Sequence, residues 1–237
     1  MSINSEKNQN IRSGGKERSA FIALIGRPNV GKSSLLNKML GQKVAIVSDK
    51  PQTTRTRIMG VLTKDEDQLV FIDTPGFHRP RNRLGENMVR AVGEGLADVD
   101  ACVLVVEAAP KFRFDPEHLP PAEEELLSTL RKRKLKAVLA INKIDLLEDK
   151  EALLPMIQAY TSQYDFEAVV PLSAANGDGV AEIEKELLAF AQPGPHFFAE
   201  GDVTDQPDRV MVAEIIREKL LRSLDKEVPH GIAVGLE

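Results

Sequence analysis

Apolar residues in this chain fall into two alternating patterns. Short continuous runs, such as Ala20–Ile25, have the length of buried strands, and between them apolar positions recur every three or four residues, as on one face of a helix. Leu35, Leu36, Met39 and Leu40 predict a first helix. Ile58–Leu62 and Leu69–Ile72 predict two strands, and the charged turn Lys64-Asp65-Glu66-Asp67 between them predicts a hairpin. Further on, strands are expected at Ala101–Glu107, Lys136–Ile141 and Ala168–Leu172, with helices over Glu86–Asp98, Glu123–Arg133, Lys150–Tyr160 and Val180–Phe190. The proline-bearing stretch Ala109–Pro121 should be irregular. Strand–helix alternation of this kind predicts an α/β fold: a mostly parallel sheet, right-handed crossovers, and helices on both faces.

The ends of the chain depart from this rhythm. Residues 1–18 are polar and read as a disordered tail, ahead of a main domain over 19–192. Residues 193–208 are rich in Pro, Gly and Asp without periodicity and read as a linker. Beyond it, Val212–Leu224 is amphipathic and Gly231–Leu236 begins a strand, so 209–237 reads as the start of a second, incomplete α+β unit. No apolar run reaches the length of a membrane span. Cys102 stands alone inside an apolar run, which excludes a disulfide framework and suits a reducing cytoplasm. The net charge of -5 argues against a main surface built for nucleic acid.

The chemistry lies where predicted strands end. Gly26-Arg27-Pro28-Asn29-Val30-Gly31-Lys32-Ser33-Ser34 follows a strand and opens a helix, and matches the phosphate-binding P-loop. Its glycines let successive N–H groups turn inward, Lys32 adds a full charge, and Ser33 offers a hydroxyl to magnesium. The bland alternative is a glycine-rich turn. Asp73-Thr74-Pro75-Gly76 leaves a second strand with the carboxylate that would serve the same magnesium ion. Asn142-Lys143-Ile144-Asp145 and Ser173-Ala174 leave two more; alone, the first of these would read as a polar helix-capping turn. In a parallel sheet all four loops meet beyond the carboxyl ends of the strands. The cluster Arg131-Lys132-Arg133-Lys134 is read as a solvated helix end, with RNA contact as the alternative. His78, His118, His196 and His230 show no zinc spacing, and His78 reads as a loop residue before it reads as a general base.

These motifs, together with Pro51-Gln52-Thr53-Thr54-Arg55, resemble those of the translation-factor-related P-loop GTPases, and most closely the Era-type GTPases. The resemblance covers Phe21–Phe190, and Ala213–Lys219 is similar to the first helix of that family's KH domain. It implies that Asp145 accepts hydrogen bonds from guanine, with Asn142 and Lys143 bracing the base and Ser173 and Ala174 beside it. It implies GTP and GDP as ligands and Mg2+ as cofactor, held by Ser33, Asp73 and Thr54, with Thr53 as the neighbouring candidate. Lys32, Thr54, Gly76 and Asn29 are then the groups nearest the reacting phosphate. Phe77 occupies the place of the water-positioning glutamine of Ras-like proteins and cannot do its work. The resemblance makes Asn29 a candidate K+ ligand; read from its position alone, it is equally a turn residue.

The resemblance further implies a GTP-hydrolysing switch that assists assembly of the small ribosomal subunit, contacting its rRNA through a KH domain mostly absent from these residues. No G-x-x-G follows Gly201. A monomer is expected, in the cytoplasm, with peripheral attachment to the inner face of the cell membrane as a trait of the family. Two alternatives stand beside this: a nucleotide-dependent binding module with negligible turnover, and an ATPase in which Asp145 does not read guanine.

Overall fold

The computed structural model describes residues 17–47, 58–73, 96, 99–109, 114–223 and 234–235, and strand β1 (Arg18–Ile25) runs through the middle of its sheet. Among the described residues the sheet has seven strands. Six lie in the order β2 (Ile58–Lys64), β3 (Asp67–Asp73), β1, β4 (Ala101–Glu107), β5 (Lys136–Asn142) and β6 (Ala168–Pro171). The two-residue β7 (Gln192–Pro193) pairs antiparallel with the start of β1. The predicted hairpin forms, with β2 and β3 antiparallel across the Asp65-Glu66 turn; β3, β1, β4, β5 and β6 are parallel.

Successive side chains of a strand point to opposite faces, and here both faces are apolar because helices cover both. Ile22, Leu24, Val103, Val105, Val138 and Ala140 pack under α1 (Lys32–Leu40) and α4 (Val180–Leu188). Their alternates, Ala23, Ile25, Cys102, Leu104, Leu139 and Ile141, pack under α2 (Pro121–Arg133) and α3 (Leu153–Thr161). Cys102 is part of this second core, and burial pushes its thiol up to about 12, so it serves packing and not chemistry. Gly60 lets α1 sit close to β2: a Cβ there would come within 2.7 Å of Leu40 and 2.8 Å of Leu36.

Helix ends follow local chemistry. Pro121 opens α2 where no N–H is needed, Glu123 and Glu124 lie in its first turn, and Arg131, Lys132 and Arg133 close it. The expected helix over 150–160 starts as a 3-10 turn, Lys150–Ala152, capped by the Asp149 carboxylate accepting from Glu151 N–H; the α-helix begins at Leu153, with Pro155 in its first turn.

Residues 193–207 have no helix, and they are hydrogen-bonded to the sheet at several points. Buried Gln68 donates to Phe198 O (3.0 Å) and accepts from the N–H groups of Phe197 (2.8 Å) and Phe198 (3.0 Å). Farther along, Val61 N–H donates to Val203 O, Thr204 Oγ1 to Met59 O and Met59 N–H to Asp205 Oδ1. Helix α5 (Asp208–Ser223) follows, its Glu218 paired with Lys43. No described helix is long and apolar enough to cross a membrane. Residues 1–16, the loop 48–57, most of the expected helix 86–98, His230 and most of the expected strand 231–236 lie outside the described residues.

Candidate functional site

The P-loop leaves β1 with a conformation only glycine tolerates at two points. Gly26 has φ 149° and a Cβ there would lie 2.3 Å from Val105 O; Gly31 has φ 99° and a Cβ would lie 2.2 Å from Asn142 Nδ2. Between them Asn29 is exposed and left-handed at φ 64°, a region its short amide side chain tolerates. Gly31 caps α1 without a side-chain bond, and no acidic residue lies in the helix's first turn, so no side-chain charge there opposes an anion at its positive end.

Lys32 is 6% exposed, and its ammonium donates to the carbonyls of Gly26 (3.1 Å) and Arg27 (3.0 Å). Burial pulls it down to about 8, against the pull of Asp73 in the other direction. Asp73 ends β3 with no exposed surface, beside Leu24 of β1. Ser33 Oγ donates to Asp73 Oδ2 at 2.7 Å, while Oδ1 has no hydrogen-bond partner among the described residues. Burial pushes this carboxyl above its ordinary range, with Lys32 and Ser33 acting in opposition. A buried carboxylate oxygen without a donor, next to a serine hydroxyl, fits a hard cation. Two protein oxygens suit magnesium, which keeps phosphate and water as its other ligands. Among the described residues no group of three or more His, Cys, Asp or Glu gathers as a metal cage.

The remaining loops are tied to this cradle by one side chain. Asn142, 2% exposed at the end of β5, donates from Nδ2 to Val30 O (2.8 Å) and accepts at Oδ1 from Ala174 N–H (2.9 Å). Ser173 Oγ in turn donates to Asp145 Oδ1 (2.5 Å) and accepts from Asn176 N–H (3.1 Å). Asp145 is exposed, and Lys143, left-handed at φ 67°, reaches Glu107 Oε1 at 3.1 Å. The structure thus gathers residues 26–34, Asp73, Asn142, Lys143, Asp145, Ser173 and Ala174 beyond the carboxyl ends of the strands. Thr53, Thr54, Thr74, Pro75, Gly76, Phe77 and His78 lie outside the described residues.

Two contacts were not foreseen. Arg27 turns its side chain away from the loop to Glu123 Oε1 (Nε, 2.5 Å), and the Tyr160 hydroxyl donates to Glu123 Oε2. The signal was present: Glu123 shares the buried stripe of Leu126, Leu127 and Leu130, an acidic residue where helical spacing asks for an apolar one.

Comparison with known proteins gives the family. A family model described as "50S ribosome-binding GTPase" matches residues 21–143. The GTPase Era of Clostridioides difficile is 43% identical over 220 residues, covering 93% of this chain and 72% of the relative. A crystal structure of Era with MgGDPNP and nucleotides 1506–1542 of 16S ribosomal RNA superposes with a TM-score of 0.81 at 34% identity, over 90% of this chain and 70% of that one. A point variant of Aquifex aeolicus Era bound to GDP and aluminium fluoride gives a TM-score of 0.80 at 34% identity, with the same shares covered. With its phosphate loop, magnesium-type oxygens and base-side loop arranged as described, and with relatives this similar over nine-tenths of its length, the chain belongs to the Era family of P-loop GTPases.

Proposed function

We propose that this chain is a magnesium-dependent switch that binds GTP, hydrolyses it to GDP and phosphate, and couples that cycle to rRNA of the small ribosomal subunit in the cytoplasm. The observation that carries the reading is Asn142, whose two hydrogen bonds join the phosphate loop to the loop beside Asp145. A phosphate cradle and a base-reading carboxylate are thereby held as one unit.

The α1 N-terminus and the P-loop N–H groups receive the phosphates, and Lys32 leaves its two carbonyl partners to pair with phosphate oxygen. Ser33 and Asp73 are the protein ligands for magnesium, which would neutralise charge developing on the phosphates. Asp145, oriented by Ser173, accepts from the guanine N1–H and exocyclic amine, a donor pair that adenine lacks. Thr54 and Gly76, both outside the described residues, are assigned by family resemblance to sensing the third phosphate. Asn29, exposed and left-handed, is assigned by family resemblance as a ligand for a potassium ion. Hydrolysis faster in potassium than in sodium, abolished as a difference by Asn29→Ala, supports this; equal rates in both salts refute it.

Competition between GTP, ATP and XTP tests the central reading. GTP should win, and Asp145→Asn should move preference toward the xanthine nucleotide; an unchanged preference refutes the assignment. Single-turnover hydrolysis separates a switch from a binding module, the alternative that Phe77 favours. The RNA part rests on the Era–16S rRNA complex and on α5 as the first KH helix. Stronger retention of a 16S 3′-terminal fragment by GTP-loaded than by GDP-loaded protein of the relatives' full length checks it.

A further inference from the structure

Glu123 is an acidic side chain with no exposed surface, and nucleotide chemistry makes no direct use of it. Its carboxylate receives Arg27 Nε at 2.5 Å on one oxygen and the Tyr160 hydroxyl on the other, so it joins the P-loop to α2 and α3 at one point. Arg27 is anchored at both ends. Its side chain goes to Glu123, while its carbonyl, with that of Gly26, holds the Lys32 ammonium. A peptide fixed by its side chain cannot rotate its carbonyl freely, so the lock on α2 also sets where Lys32 waits. It keeps the guanidinium, 36% exposed, from folding back into the cradle.

We infer that Glu123 is a positioning residue for phosphate binding: by holding Arg27 outside the cradle it fixes the Gly26–Arg27 turn that orients Lys32. This rests on the nucleotide-binding reading above. The test measures GDP affinity with a fluorescent GDP for wild type, Arg27→Ala, Glu123→Ala, Glu123→Gln and the Arg27→Ala/Glu123→Ala double variant, at a temperature where circular dichroism shows each folded. Arg27→Ala and Glu123→Ala should each weaken GDP by about tenfold, since a small misplacement at a binding centre costs of this order. The double variant should be no weaker than the worse single, because the pair acts as a unit. Glu123→Gln, which keeps an acceptor for Arg27, should recover part of the loss. If Glu123→Ala does not fold, Arg27→Ala and Glu123→Gln carry the test alone. Unchanged affinity in Arg27→Ala overturns the inference, and so do single losses that multiply in the double variant, which would mean that the two side chains act independently. Wild-type protein that binds no GDP would instead overturn the nucleotide-binding reading itself.

Discussion

Replacing Asn142 by alanine removes the donor to Val30 O at 2.8 Å and the acceptor for Ala174 N–H at 2.9 Å, in a place only 2% exposed to water. Neither orphaned backbone group can turn to solvent, and each such group costs about 1–3 kcal/mol. The sum is about 2–6 kcal/mol, a large part of the about 5–15 kcal/mol that holds a domain of ordinary size together. Asn142→Asp is more telling, because it is isosteric. It keeps the acceptor for Ala174 but sets a carboxylate against the Val30 carbonyl, which favours the protonated form. Its folded-state pKa would lie above the unfolded value of about 3.9, and every tenfold gain in proton affinity on folding corresponds to about 1.4 kcal/mol. The deficit is therefore full above the folded pKa, shrinks as pH falls, and is smallest below the unfolded value, where a protonated carboxyl can donate to Val30 O. Urea denaturation followed by far-UV circular dichroism at pH 8 and pH 5 measures it, each variant against wild type at the same pH. Asn142→Ala within about 0.5 kcal/mol of wild type, the range of surface substitutions, would refute the reasoning, as would an Asn142→Asp deficit equal at both pH values.

The buried Lys32 ammonium, at about 8 without ligand, is charged when it meets phosphate, so binding takes up a proton above that pH. GDP affinity should be level up to about pH 8 and then fall, by at most about tenfold per pH unit; a flat titration to pH 9.5 refutes this. The same group should make the free protein more stable as pH rises from about 8 towards its unfolded pKa of about 10.4, where the unfolded chain binds the extra proton. Gly31→Ala would place a Cβ 2.2 Å from Asn142 Nδ2 at φ 99°, and should abolish GDP binding and lower Tm by several degrees. Gln68→Ala removes three bonds to residues 197–198 and should speed limited proteolysis between residues 193 and 208, leaving GDP affinity unaltered.

Most of the fold can be read from periodicity, because strands buried on both faces leave uninterrupted apolar runs such as Ala101–Val106, and helices leave their three-to-four spacing. The turn that follows β1 was equally legible, since glycine at Gly26 and Gly31 answers a backbone demand. Glu123 and Gln68 were harder. Both are polar residues at buried positions, and a polar letter in a sequence reads as solvent-facing until its partners are known. Their partners, Arg27 and the backbone of Phe197 and Phe198, lie 96 and about 130 residues away, a separation that local pattern does not span. The attachment of the stretch read as a linker is hidden for the same reason: main-chain hydrogen bonds, such as Val61 N–H to Val203 O, are made by groups every residue carries.

That last attachment has a consequence for anyone cutting the chain. Among the described residues strand β2 ends the sheet, and its outer rim of backbone donors and acceptors at Met59 and Val61 is occupied by Val203, Thr204 and Asp205. A fragment stopped near residue 192, where composition suggests the GTPase domain is complete, would bare that rim as a template for a second molecule's strand. The connector acts as a selvedge, keeping the weave from joining its neighbours, so a well-behaved minimal domain has to carry it at least through Gln206.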